Sequence, residues 1–562
     1  MLKQSTLLLL AVLMAGSLVA QNQRFLDPIY EVGARTTVTY ATNLDALAAQ
    51  GGNPVRDLQA DVYQPVGDDG LSLRPVVVMW PTGNFLPQYL NQGAYGSRRD
   101  SAVVEILGRL TASGYVGMAA DYRVGWLPTS PDQEIRTATL LQAAYRGTQD
   151  ANAMARYLRK TVADDGNPYR IDTSRIVFWG LGTGGYVAMN HAFLDDINEV
   201  LDDDRFYTAG DAEGNGVRPF VTLETFSNPQ GTTAVAPNAA AGLLGNLVNH
   251  PGYSGSVAMS VNTGGALGSI AWIEDPADKP EQPLVIAQHS PNDPFAPYGI
   301  GTVIVPTTQQ VVLTQVAGSQ AIIQRANELG LNDALDEVND TDLPDLYSDL
   351  AEDVNERNET LKGMMYDLTP GVDGGDIQLS VDNLYPLNFP GSRTIGAGAS
   401  GASFNWIDEA AVRTGITQFN AATGQMINAD AVIQGELATN PNAFDPAAAR
   451  MVIDTIMAHF YPRAYVGLEL ATLVGTEDVV AATEIGLNIS PNPAAESFLI
   501  ETGEGFPIRD VSIFDINGRL VQEQTQVNRR SLRLYRDGLA NGTYIVRIRV
   551  DEGVSSRKIF IR

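Results

Sequence analysis

Hydrolysis of an ester by a serine enzyme needs a hydroxyl nucleophile, a histidine base, an acid that orients the base, and N–H donors for the oxyanion. The stretch "RIVFWGLGTGGYVAMNHAF", Arg175 to Phe193, has the outline of a turn that presents such a nucleophile. A β-rich run, Ile176 to Trp179, meets a glycine-dense turn, and a helical pattern begins at Tyr186. In Gly-x-Ser-x-Gly, a strained strand-to-helix turn lifts the serine hydroxyl to the top of a sheet. Here the five positions read Gly180-Leu181-Gly182-Thr183-Gly184, so the nucleophile position has no side chain. Thr183 lies one residue on, and a shift of one residue along the turn redirects the side chain. It reads as a small residue tolerated in a tight turn, with a substitute nucleophile as the alternative.

The histidines offer little to work with. There are four, His191, His250, His289 and His459, and none falls between Met365 and Arg450. His191 is on the helix after the elbow. His250 precedes its strand, whereas ligands in open α/β sheets gather at the strands' carboxyl ends. His459 lies inside a helical pattern beside Phe460 and Tyr461. With no cysteine in the chain there is no disulfide, thiol chemistry or thiolate metal site. No metal site or cofactor is expected. The formal net charge of −28 argues against a nucleic-acid partner and reads as solubility.

The elements that must position these residues follow from hydrophobic pattern. The 562 residues, 44% hydrophobic, are enough for a large core and more than one domain. Residues 1–20, with Lys3, the apolar run "LLLLAVLMAG" and "SLVA", read as a cleaved secretory signal. No later segment reaches the ~20 apolar residues of a membrane span. The middle, residues 21–470, alternates apolar strands ("PVVVMW", "YVGMAADY", "RIVFWG", "SVAMSVN", "PLVIAQH") with helical stretches such as "DANAMARYLRKTV" and "AAARMVIDTIMAHFY". The pattern predicts an α/β fold with a mostly parallel sheet covered by helices on both faces.

From Leu487 to Arg562 there are 11 basic and 9 acidic residues, so this tail is +2 while the rest carries −30. Residues 471–486 read as a linker, and residues 487–562 as a small all-β sandwich of six or seven strands, with Asn517-Gly518 suited to a type I′ hairpin. The tail's "ISPNPA", "VSIFDINGRLV", "LANGTYIVRI" and "RKIFIR" resemble the type A sorting domain of the Bacteroidetes type IX secretion system. The resemblance implies a type IX machinery partner, export across the outer membrane, removal of the tail, and release or attachment to surface lipopolysaccharide. A carbohydrate-binding or other adhesive β-module is the alternative.

The body also carries a resemblance. "DLQADVYQPVGDDGLSLRPVVVMWPTGNF", "GYVGMAADYRVGW", "AAYRGTQDANAMARYLRK", the elbow, "HPGYSGSVAMSVNTGGALGSIAWI" and "HSPNDPFAPYG" occur in that order. Together they resemble a secreted carboxylesterase-like α/β-hydrolase, from about Asp57 to Leu329 and weakly after Tyr366. The resemblance implies that Gly182 occupies the nucleophile position and Asp293, in "HSPND", the position of the triad acid. His289 takes that motif's packing histidine, and the base is missing from its turn in "YPLNFPGSRTIGAGASGASFNWID". Without a base, Asp293 reads rather as the cap of a turn. The oxyanion loop becomes Pro81-Thr82-Gly83-Asn84-Phe85, in which proline removes a donor while Gly83 and Phe85 keep the backbone shape.

Nucleophile, base and oxyanion loop have changed together, and nucleophile and base act as a unit. The expectation is a secreted or surface pseudoenzyme, a binding or structural component. The alternatives are a carboxylic ester hydrolase with a non-standard site and a polysaccharide or small-ligand binder. A vestigial pocket would be ringed by Gly83, Asn84, Thr183, His289 and Asp293. An unidentified surface partner or self-association would use the acidic insertion at about residues 331–364. From Glu328 to Glu359 that stretch holds 12 acidic residues and one basic residue, with Leu335, Leu343, Leu346, Leu350 and Val354 as an apolar face. Its removal is expected to leave the core's melting temperature nearly unchanged. The short "DAEGNG", Asp211 to Gly216, is a weaker candidate.

Overall fold

Eight strands form the central sheet: β1 (Thr36–Leu44), β2 (Val55–Tyr63), β3 (Arg74–Trp80), β4 (Val116–Ala120), β5 (Ile171–Leu181), β6 (Met259–Thr263), β7 (Leu284–His289) and β8 (Leu384–Pro386). Their spatial order is 1-2-4-3-5-6-7-8. Every neighbouring pair from β4–β3 to β7–β8 is parallel, and β2 runs antiparallel to both β1 and β4. This is the α/β-hydrolase arrangement. The computed structural model describes residues 24–562 apart from 47–52, 68–72, 211–214, 238–244, 306–307, 340–348, 368–375, 389–400, 475–481, 483–484, 516–519, 526, 537 and 551–552. The expected signal segment, Asn517-Gly518 and most of "DAEGNG" therefore lie outside the described residues.

All seven residues of β3 and all five of β4 are buried, as a sheet covered on both faces requires. Eight helices of the body matter here: α1 (Ser101–Ala112), α2 (Gln133–Ala163), α3 (Thr183–Phe193), α4 (Ser319–Glu328), α5 (Asp349–Lys362), α6 (Glu409–Thr423), α7 (Ala429–Thr439) and α8 (Pro446–Gly467). Val76, Val78, Trp80 and Phe178 belong to one core with Tyr145 and Met154 of α2 and Val187 of α3. On the opposite face Trp179 meets Phe460 of α8, with ring centroids 4.6 Å apart. Among the described residues, no helix is long and apolar enough to cross a membrane.

The sheet's outer edge is closed by side chains. Asn249 accepts from Thr42 N–H (3.0 Å) and donates to Thr42 O (3.0 Å), while His250 Nε2 meets Tyr40 O at 2.6 Å. Such cover keeps edge strand β1 from pairing with another chain.

The acidic insertion is not the separable surface that its charge suggests. Leu335, Val338, Ala351, Val354 and Leu361 are buried, while Leu343 and Leu346 lie outside the described residues. Arg463 of α8, 1% exposed, donates to Asn339 (2.6 Å) and to Asn355 and Asn383 (3.3 Å each). Asn358 donates to Val381 O and accepts from Ser380, just ahead of β8. The apolar face and the buried amides tie the insertion to the body, so its removal would uncover Arg463 and β8.

Among the described residues of the C-terminal unit, 471–562, there are seven strands: β9 (Asn488–Ser490), β10 (Ser497–Glu501), β11 (Asp510–Asp515), β12 (Leu520–Gln524), β13 (Ser531–Tyr535), β14 (Gly542–Val550) and β15 (Gly553–Ile561). They form a three-stranded sheet, 9-10-13, and a four-stranded sheet, 12-11-14-15, all antiparallel. Alternate residues Phe498, Ile500, Leu532, Leu534, Val546 and Ile548 fill a core of its own. The expected linker contains a short helix, Ala471–Val474.

Candidate functional site

β5 runs into α3 through Gly182, whose φ of 52° and ψ of −116° lie where a residue other than glycine costs of order 1–3 kcal/mol. Its N–H donates to Thr263 O and its carbonyl accepts from Gly185 N–H, both at 2.8 Å. The crossing is tight, because a Cβ on Gly184 would lie 1.9 Å from Trp80 O. This is a nucleophile elbow in every backbone respect.

The seat of the missing side chain is occupied. A Cβ on Gly182 would stand 2.5 Å from Thr82 Oγ1 and 3.0 Å from Thr82 Cβ. A threonine hydroxyl from the β3 loop thus stands beside the place where the elbow serine would project. Thr82 Oγ1 also accepts a long bond, 3.4 Å, from Thr183 N–H, and Thr183 Oγ1 accepts from Asn84 N–H at 2.7 Å. In such folds the oxyanion is held by the N–H after the nucleophile and one from the β3 loop. Here those N–H groups, of Thr183 and Asn84, each point at a threonine hydroxyl. Thr183 is 6% exposed and its hydroxyl pins Asn84, which sits at a φ of 55°.

The second half of the expected site lies after β7. Asp293 Oδ1 accepts from Phe295 N–H (2.7 Å) and Ala296 N–H (3.3 Å), so the residue caps its turn. It also lies beside the histidine of its own motif: Oδ2 is 3.3 Å from His289 Nε2, close but out of line for a hydrogen bond. His289 Nδ1 lies 2.9 Å from Ser319 Oγ, which accepts from Asn262 Nδ2 at 3.0 Å. The string Ser319–His289–Asp293 has the composition of a triad. It is sealed, with Ser319 0% and His289 1% exposed, so no acyl carbonyl reaches the hydroxyl. Ser319 Oγ gives His289 Nδ1 a partner within the interior.

The remaining histidines serve packing. Burial pushes His191 down to about 4; its Nε2 meets Gly255 O at 2.9 Å and its ring lies against Phe178. His459, fully buried rather than partly packed, is held well below the ordinary imidazole range by burial and by the nearby Arg463. Its Nδ1 accepts from Gln288 Nε2 (3.0 Å), and a chain of 2.9 Å bonds runs on from Gln288 Oε1 through Thr263 Oγ1 to Trp179 Nε1. His250 is lowered by burial too, and covers the edge of β1.

The five residues expected around one pocket thus form two groups, Gly83–Asn84–Thr183 and His289–Asp293, on either side of the turn at Thr263 and Gly264. Gly182 bonds to Thr263, while a Cβ on Gly264 would be 3.4 Å from Asp293 Oδ2. The stretch 389–400, part of the region read as the base-bearing turn, lies outside the described residues. Sequence reasoning missed Thr82 and Ser319. A hydroxyl within "PTGNF", opposite an elbow with no side chain, was the available signal for the first.

Beyond the C-terminal end of α3 a cleft of about 740 Å³ is lined by Asp195, Asp196, Glu199, Asp202, Asp203 and Lys279 among others. Lys279 Nζ is paired there with Asp195 and Glu199, both at 2.9 Å. No group of three or more potential metal ligands is arranged to hold an ion among the described residues.

Residues 488–562 match the family described as "Secretion system C-terminal sorting domain". They are a type IX sorting domain, which marks the protein as secreted or displayed at the cell surface. A search of the curated proteins finds no match. Among solved structures, the chain is similar to Thermogutta terrifontis esterase 2 phosphorylated by paraoxon, at 16% identity over 47% of this chain and 73% of that one, with a TM-score of 0.25. The same organism's butyrate-bound esterase aligns at 17% identity over 48% and 75%, with a TM-score of 0.24. A putative carboxylesterase from Lactobacillus plantarum aligns at 17% over 29% and 50%, with a TM-score of 0.19.

Proposed function

From a chain that ends in a type IX sorting domain and is built on an α/β-hydrolase sheet, we propose a secreted or surface-displayed pseudoenzyme: a binding or structural component without ester hydrolase activity. The observation that carries the reading is Thr82 Oγ1, which would lie 2.5 Å from any Cβ at Gly182. It stands in the nucleophile's seat, and the Thr183 and Asn84 N–H groups are already directed at threonine hydroxyls. A hydroxyl there without a histidine is a poor nucleophile, since its proton has no acceptor of suitable pKa. The four histidines are all committed to packing or to edge cover.

Partner association then falls to the exterior. The acidic face of α5, where Glu352, Glu356 and Glu359 are exposed, remains the favoured surface because its apolar face is already used within the fold. The test is turnover of p-nitrophenyl esters and labelling by a fluorophosphonate. Neither is expected from the purified chain, and turnover abolished by Thr82→Ala or Thr183→Ala overturns the reading. Replacing Glu352, Glu356 and Glu359 by Gln is expected to weaken partner or surface association while the fold persists. Unchanged association would move the working surface elsewhere.

A further inference from the structure

The loop that seats Thr82 is strained, and it is held from outside by two buried carboxyls. Between Thr82 and Ser97, Asn84, Phe85, Tyr89 and Gln92 have φ of 55°, 50°, 72° and 58°. Each such residue costs of order 1–3 kcal/mol, so the conformation persists only while its surroundings enforce it. The two ends of the loop touch, since a Cβ on Gly83 would lie 3.1 Å from Gly96 Cα. The far end is gripped at three places. Asp100 Oδ2 accepts from Gly96 N–H (2.8 Å) and Ser97 N–H (3.2 Å). Glu436 of α7 accepts from Ala94 N–H at 2.6 Å, and Asn440 donates to Tyr95 Oη at 3.1 Å. Ala94 and Tyr95 pack with Ile407, Val412, Ile416, Val432 and Ile433 in a small core distinct from that of the sheet. The α6–α7 hairpin is joined to the loop through Glu436, Asn440 and this core, while Asp100, just ahead of α1, holds the loop's last turn.

We propose that the α6–α7 hairpin and residues 93–97 form a pH-operated clasp, shut while Asp100 and Glu436 are protonated and loosened as they ionise, which frees the strained loop that seats Thr82 over Gly182. The groups facing Asp100 are Glu436 and the hydroxyls of Tyr89, Tyr95 and Tyr122. Those facing Glu436 are Tyr95 and Asp100. Among the described residues no ion pair joins a cation to either carboxyl, and Arg98 and Arg99 of the same turn are paired with Asp61 and Asp121. Burial pushes both carboxyls up to about 7, with the charge of Glu436 adding to the effect at Asp100. An unfolded carboxyl titrates near 4, so the shut form holds the extra protons between about pH 4 and 7. Its stability is full below that window and is lost as pH rises through it.

The experiment is hydrogen exchange on the full chain at about pH 5.5 and 8.5, with rates normalised to the unstructured-peptide rate at each pH. Peptides covering residues 86–100 and 409–440 are expected to lose about tenfold protection at the higher pH, while those in α2 and α3 keep theirs. Glu436→Gln, which retains an acceptor oxygen for Ala94 N–H, is expected to keep more protection at pH 8.5 than the unsubstituted chain, since only Asp100 then ionises. Protection of those two segments that is independent of pH in the unsubstituted chain overturns the clasp, and that result needs no variant to fold. A Glu436→Gln chain that loosens like the unsubstituted one overturns it as well. The clasp does not depend on the lack of hydrolase activity, which the ester assay tests separately.

Discussion

The two halves of the expected site contrast in opposite ways. Around Gly182 the backbone makes a tight strand-to-helix turn with no side chain at its apex, and a neighbouring threonine stands in the space. Around His289 the polar side chains are present, as a Ser319–His289–Asp293 string, but buried in the interior. The contrast separates two reasons for keeping a residue. An elbow glycine at positive φ serves the crossing of strand and helix, and nothing about it requires a reacting group. A buried histidine bonded to a buried serine serves the interior, since removing the serine leaves Nδ1 desolvated without that partner. Composition alone would rank the second region as the more catalytic one, and burial reverses that ranking.

Three substitutions press on the contrast. The largest effect is expected at the elbow, where Gly182→Ser meets both the strained φ and Thr82, for a loss of about 3 kcal/mol in denaturant unfolding. Adding Thr82→Gly should recover at least about 1 kcal/mol of it as a coupling between neighbours, with no ester turnover in either chain. Simple additivity of the two changes would mean that Thr82 does not fill the seat.

A middling effect is expected in the buried string. Ser319→Ala or Asp293→Asn should each cost about 1–3 kcal/mol without altering any reactivity of the chain. If either substitution instead changed labelling by a fluorophosphonate, the string would be chemically accessible after all.

The smallest effect concerns His191. Burial lowers it from 6.5 to about 4, so the unfolded chain binds its proton first as pH falls. Its contribution is full above about pH 6.5 and is lost through the window down to about 4, opposite in sign to that of Asp100 and Glu436. His191→Gln should flatten the acid side of the stability profile by about 1–2 kcal/mol, and an unchanged profile would refute the assignment.

The strands that carry the site were legible because burial on both faces writes continuous apolar runs, and "PVVVMW", "RIVFWG" and "PLVIAQH" all fall within or across β3, β5 and β7. The tail's seven strands were legible by alternation, since only one face of each sheet meets its core. Short β8, Leu384–Pro386, carries no such run and escaped notice.

Sequence by itself determined the absence of a side chain at Gly182, the lack of a histidine between Met365 and Arg450, the charge step at the tail, and the order of the motifs. These are statements of identity and pattern, which need no geometry. Tertiary structure decided where Thr82 points, that Asp293 and His289 face one another, and that the acidic insertion is fastened through Arg463. Residues separated by tens or hundreds of positions meet there through strand register and helix packing. No local pattern encodes such meetings, because the deciding quantity is the distance across the fold.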